Sequence, residues 1–424
     1  MIRLHYLPGR TVAAAVLTVT LAIVASGCSG AGANSDSAAA TREPAASPSD
    51  SAPARVHAGT PVWIDTLRMV SATNGWALLW PSNPNHDGAL AVARTTDGGR
   101  TWIAVTPRAA RSALATGQAL LEAATAERAW FAVPTNTSGP PGQTLVFGTD
   151  DGGRSWQQSA GIPDGYDPLA LDFASPRRGW LLESLGAAMQ QNPVRLYRST
   201  DGGARWSLIA RSPRMAGDAA TRSGLPTYCD KDGLAFSTAR TGWITGYCNS
   251  LAEAVLVSGD GGARWTPESV PVPAGLCESA GCEVPAPQFA GGSTFLQINS
   301  YPTAAYLLVS NNAGQTWQVS RLPAGAGPYP RIRFFSAKVG IAISGGSEGT
   351  IGRVFYVSTD GGLSWTATRQ GRHFGGNSAD FDFVSLRAGF AWMDPDTEPT
   401  APLPRLYRTS DSGRTWMAFM PRLG

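Results

Sequence analysis

The residues of this chain that are able to do chemistry are mainly carboxylates, and spacing divides them into two groups. One group recurs in register: Asp97, Asp151, Asp201, Asp260, Asp360 and Asp411, with Asn312 in the fifth place, stand 48 to 59 residues apart. Each is followed by glycine two places on and tryptophan five places on. The other group is irregular and lies in the long connecting stretches. It comprises Asp167 with Tyr166, Glu183, Arg214, Tyr228, Asp230, Lys231, Asp232 and His373, together with Glu268, Glu278 and Glu283. Two carboxylates about 5 to 9 Å apart across a cleft can hydrolyse a glycoside. Asp167 with Glu183, or Asp230 with Asp232, are candidates that spacing alone does not pair. Serine hydrolysis has less to build on, because His57, His86 and His373 follow the N-terminal segment without a nucleophile elbow near any of them.

Five cysteines separate in the same way. Cys28 closes the run Ala25-Ser26-Gly27-Cys28, after a positive region with Arg3 and Arg10 and an apolar stretch from Thr11 to Val24. That order is a signal peptide, and its apolar part is short for a membrane span. The end of the run resembles the bacterial lipobox, which implies cleavage before Cys28 and a lipid on its thiol. Residues 1–27 are therefore read as a lipoprotein signal peptide. Residues 28–58, rich in Ala, Ser, Pro and Gly and free of aromatics, are read as a disordered tether. The expected location is the outer face of the bacterial cytoplasmic membrane, held there by the N-terminal lipid. The remaining Cys229, Cys248, Cys277 and Cys282 are an even set in an exported chain, which reads as two disulfides. Spacing favours Cys229–Cys248 and Cys277–Cys282. With no C-x-x-C and no histidine nearby, no zinc site is expected. No other metal and no cofactor is expected either.

The elements that must position these groups follow from the recurrent set. Ser/Thr-x-Asp-x-Gly-x-x-Trp is repeated seven times, at Thr95–Trp102, Thr149–Trp156, Ser199–Trp206, Ser258–Trp265, Ser310–Trp317, Ser358–Trp365 and Thr409–Trp416. Asp-Gly-Gly between two β-rich runs makes a hairpin, since glycine reaches positive φ without strain and the aspartate accepts N–H groups of the turn. Most copies also have an upstream strand, short turn and Gly-aromatic pair, as in Phe173–Trp180 and Phe236–Trp243. Four strands in about fifty residues make one propeller blade. Gly 49, Pro 31 and Trp 14 agree with many turns and many large buried rings. The expected fold is all-β, a seven-bladed β-propeller of four-stranded antiparallel blades over residues 59–424.

The octapeptide resembles the Asp-box, or bacterial neuraminidase repeat, and the seven-copy arrangement resembles the photosystem II assembly and stability factor group. The resemblance implies that the boxes are structural and lie away from the binding face. It does not imply sialidase activity: the Arg-Ile-Pro element of that family is missing, and Tyr329-Pro330-Arg331-Ile332-Arg333 is an echo in the wrong order. A formal net charge of +3 and two lysines, Lys231 and Lys338, give no basic run, so nucleic acid is not an expected partner. The functional expectation is a monomeric, non-catalytic cell-surface module that binds an envelope protein or glycan, in the manner of an assembly or scaffold factor. The alternative is a sialidase- or xyloglucanase-like glycosidase. The candidate binding face is Tyr166, Asp167, Glu183, Arg214, Tyr228, Asp230, Lys231 and His373.

Overall fold

A computed structural model describes residues 58–81, 89–137, 142–163, 165, 167–186, 191–213, 222–248, 251–273, 276–277, 281–300, 304–345, 354–368, 379–393 and 405–424. Cys28, the signal and tether segments, Tyr166, Arg214, Glu278 and His373 lie outside these residues. Among the described residues the chain is all-β, and no helix is long and apolar enough to cross a membrane.

The strands run as successive antiparallel meanders. The first comprises Trp63–Met69, Gly75–Trp80, Ala91–Thr95 and Thr101–Ala104; the second Leu120–Ala123, Ala129–Pro134, Gln143–Thr149 and Gln157–Gln158. Pro168–Phe173, Gly179–Ser184, Val194–Ser199 and Ser207–Arg211 form the third. Asp230–Phe236, Gly242–Cys248, Val255–Ser258 and Thr266–Pro267 form the fourth, and Gln288–Ala290, Ser293–Ser300, Ala304–Ser310 and Gln318–Arg321 the fifth. A short strand, Cys282–Glu283, pairs with both Gly242–Cys248 and Ser293–Ser300 and so joins the fourth and fifth into one sheet. Arg331–Phe334, Gly340–Ile343, Phe355–Ser358 and Thr366–Thr368 make the sixth, and Ala379–Phe383, Gly389–Met393, Leu406–Thr409 and Met417–Phe419 the last.

Each octapeptide builds its hairpin in the same way. In the first copy the Thr95 hydroxyl donates to Asp97 at 2.9 Å and accepts the Gly99 N–H at 2.9 Å, while Asp97 accepts the Thr101 N–H at 3.0 Å. Burial would raise the Asp97 carboxyl, but these bonds from Thr101 and Thr95 hold it below the usual range. Asn312 keeps the pattern, accepting the Thr316 N–H at 2.9 Å and donating to the Thr316 hydroxyl. The fourth octapeptide position is left-handed. Gly98 has φ +77°, and Ala313 (+57°) and Ser412 (+65°) hold the same region without glycine.

Tryptophans hold the hairpins and join the meanders. The indole N–H of Trp102, Trp206, Trp265, Trp365 and Trp416 returns to a glycine carbonyl of its own octapeptide. Trp156 instead reaches back to Val105 of the preceding meander. The tryptophan that opens the second strand faces forward: Trp180 stacks on Phe236 of the next meander at 3.6 Å and donates to Gly261 there. Trp130 does the same with Phe173 and Gly202. The last meander packs on the first through Phe390, Trp392 and Leu406 against Leu67 and Trp102. Asp382 accepts the Met69 N–H across that junction at 2.6 Å.

Candidate functional site

Octapeptide hairpins and the turns after the first strands occupy the same end of every meander, because Gly98, Gly152, Gly202, Gly261 and Gly361 donate to those turns. First strands therefore begin at the opposite end, and the irregular carboxylates gather there. Two features hold that end rigid. Cys229 bonds Cys248, and Cys277 bonds Cys282, with Cα separations of 4.8 and 5.0 Å, as the spacing predicted. Cys248 and Cys282 also face each other in the ladder of the bridging strand.

Asp230, Lys231 and Asp232 start the first strand of the fourth meander. The pairing shifts between Lys231 and Gly233, so Asp232 is the bulged residue, left without a partner in the ladder. Burial, then the Glu283 and Asp230 carboxylates, push Asp232 up to about 7. Glu283 comes from the bridging strand. Burial raises it, while Arg331 and a hydrogen bond from Asn299 work against that rise. Gln297 fixes Asn299 by donating to its side-chain oxygen at 2.6 Å and to Pro330 O at 2.7 Å. Arg331 also forms an ion pair with Asp380 of the last meander. Asn299, Glu283, Arg331 and Asp380 are thus one chain of charge and hydrogen bonds linking the fourth, fifth, sixth and last meanders.

Lys231 does not face outward. It is 2% exposed, and its ammonium donates to Tyr228 O at 2.6 Å and Cys229 O at 2.9 Å, bracing the loop that carries the disulfide. Burial pushes its pKa down to about 7, and Asp230 opposes that. Glu183 is 1% exposed, between Pro168 and Arg195 in the ladder, with room for its carboxylate left by Gly165. Tyr228 is 46% exposed beside Cys229, and Asp167 and Asp230 are half-buried. The structure therefore brings Asp230 together with Asp232 and Glu283. It places Asp167 and Glu183 in the third meander instead.

A second tier went unread in the sequence. Arg68, Glu122, Asp172, Arg333 and Asp382 each precede the residue that ends a first strand, and they pair in register with the second-strand residue after the Gly or Ala. Burial raises Glu122 and Asp382, while Arg68 and Arg333 act on both in the other direction. Since Arg68 belongs to the first meander and Arg333 to the sixth, the first strands surround a common axis. Asp172 accepts the Phe236 N–H at 2.9 Å; burial and Glu122 push it up to about 7. The recurring charge before a terminal Phe or Met, as in Asp172-Phe173 and Asp382-Phe383, is the signal that could have found this tier. Among the described residues no group of three metal-ligating side chains is placed to hold an ion.

No family model matches the chain, and no curated protein matches it in sequence. Solved structures do match. A structure of YCF48 bound to a D1 peptide aligns with a TM-score of 0.50 and 15% identity, over 86% of this chain and 99% of that one. A lectin from Burkholderia pseudomallei aligns at 0.50 and 11%, over 87% and 100%. A GH74 xyloglucanase from Xanthomonas campestris aligns at 0.50 and 15%, over 87% of this chain and 55% of the enzyme. These likenesses establish a β-propeller fold.

Proposed function

We propose that residues 59–424 form a seven-bladed Asp-box propeller closed between its last and first meanders. We read it as a non-catalytic module of an exported lipoprotein, anchored through Cys28 and tethered by residues 28–58. In this reading a protein or glycan of the cell envelope binds at the end opposite the octapeptides. One observation carries the proposal: a rigid mouth, clasped by two disulfides and a bridging strand, that sets Asp230, Asp232 and Glu283 against Arg331 and Asp380. Preorganised charges of both signs suit polar recognition, and little ordering entropy is lost on binding. The peptide held by YCF48 supports a protein partner.

The glycosidase alternative draws on the same mouth. Asp232, protonated up to about 7 beside a second carboxylate, has the character of a general acid. The deciding experiment crosslinks the native protein in its envelope, recovers partners, and repeats the capture with Asp232→Asn and Glu283→Gln. Loss of a specific partner in both variants supports recognition. Turnover of envelope glycans by the wild type, abolished in both variants with no partner recovered, would establish the enzyme instead.

A further inference from the structure

The octapeptide end carries a charge pattern that the overall balance of +3 conceals. Arginine occupies the sixth or seventh octapeptide position in five of the seven copies, and several of the adjoining turns add further cations. The arc is densest on the second to fourth meanders, where Arg154, Arg177, Arg178, Arg205, Arg240 and Arg264 are all exposed. The acids of this end are mainly the octapeptide aspartates, whose carboxylates accept N–H groups of their own hairpins. In the Arg264–Asp260 ion pair at 3.9 Å the arginine side chain is the outer partner, 81% exposed against 35% for the aspartate. On this arc the six exposed guanidinium groups outnumber the exposed carboxylates, Glu127, Asp150 and Asp201.

These cations do not converge on a pocket. They sit up to three per meander, spread over octapeptide hairpins and the turns that those hairpins bond, so only an extended anionic surface can meet many of them together. The path of the chain indicates which surface. It enters the described fold beside this end: Gly59 donates to Leu423 O at 2.7 Å, Arg422 donates from its side chain to Gly59 O, and the Arg422 N–H donates to Arg100 O of the first octapeptide. A tether that joins the fold here leaves this rim free to turn to the headgroups. The geometry points to the octapeptide rim as a docking face for an anionic phospholipid bilayer. The orientation rests on the lipid anchor proposed above; the affinity does not. Docking in this way turns the Asp232–Glu283–Arg331 mouth away from the membrane, toward partners.

Residues 58–424 carry every described strand and both disulfides, so this segment without the anchor serves as the probe. Its sedimentation with vesicles rich in phosphatidylglycerol is compared with that on pure phosphatidylcholine, at low and at raised salt. Binding confined to the anionic vesicles and weakened by salt is expected. Arg177→Gln/Arg178→Gln/Arg205→Gln/Arg264→Gln should weaken it at least roughly tenfold, since each cation near such a surface contributes measurably. Arg108→Gln/Arg111→Gln/Arg211→Gln, exposed cations placed outside the octapeptide hairpins and their turns, should leave it within about twofold. Unfolding transitions of both variants confirm that each is folded. Equal loss in the two variants, binding to both lipids alike, or binding to soluble polyphosphate with none to vesicles would overturn the proposal. A failed anchor, by contrast, would show as an unlipidated Cys28 and would leave the vesicle result unchanged.

Discussion

Replacing Asp172 with asparagine should stabilise the protein at neutral pH, although it removes a hydrogen-bonded carboxylate. Asp172 accepts the Phe236 N–H at 2.9 Å, and burial and then Glu122 push it up to about 7. In an unfolded chain an aspartate ionises near 3.9. Between about pH 4 and 7 the folded state therefore keeps a proton that the unfolded chain has released. By linkage, this group's contribution is fully present below about pH 4 and is lost progressively as pH rises to about 7. A shift from 3.8 to about 7 corresponds to an upper bound of about 4 kcal/mol at 1.36 kcal/mol per unit. Asp172 is only half-buried, so water screens it, and about 2 kcal/mol is the better figure. Asparagine keeps an oxygen for Phe236 and adds no charge. Urea unfolding of residues 58–424, followed by tryptophan fluorescence, should show Asp172→Asn matching the wild type near about pH 4 and exceeding it by about 2 kcal/mol near about pH 8. A variant that is destabilised equally at both ends of that range would refute the reasoning, because the bond to Phe236 would then outweigh the charge.

Further outcomes test the scaffold. Trp180→Ala removes a fully buried ring stacked on Phe236 and an indole bond to Gly261, and should cost about 3 to 5 kcal/mol by chemical unfolding; Trp180→Phe, which keeps a ring there, should cost markedly less. Ala313→Gly should gain about 1 kcal/mol by relieving a left-handed alanine, whereas the same change at an extended alanine should lose stability. Asp97→Ala should cost about 1 kcal/mol and leave partner capture intact, which separates the octapeptides from the binding end. Replacing Cys229 and Cys248 together with serine opens a crosslink of sequence separation 19 and should cost about 3 kcal/mol, read as a lower unfolding midpoint.

The hairpins were legible because each is a local event. Thr95, Asp97, Gly99 and Trp102 make their bonds within eight residues, so the type and order of residues specify the turn. Both disulfides were legible for a related reason, as short separations left few competing pairings. What escaped was long-range. Asp172 bonds to Phe236, 64 residues away, and Met69 to Asp382, 313 residues away, and nothing in local periodicity announces either pair. Lys231 shows the opposite error. A lysine between two aspartates in a long loop reads as solvent-facing, yet the ladder turns it inward onto Tyr228 and Cys229 carbonyls. Asp232, one residue on, was read only as a partner for Asp230; the bulge that sets it against Glu283 is a property of the pairing with Gly246 and Thr245.

The junction of the two chain ends has a consequence for rearranging the gene. Arg422–Leu423 lies parallel to Thr101–Ala104, and Thr60 accepts the Leu423 N–H at 2.9 Å, so head and tail of the described fold are clasped side by side. A short glycine linker from Gly424 to Ala58 would span that gap, and new termini could then be opened in any connection between two meanders. With the cut placed away from the bridging strand, such a circular permutant keeps every ladder, the parallel one at the seam included. Deleting Arg422–Gly424 instead strips a strand from the first sheet and uncovers Val62, so a truncated chain should open at this seam before any other.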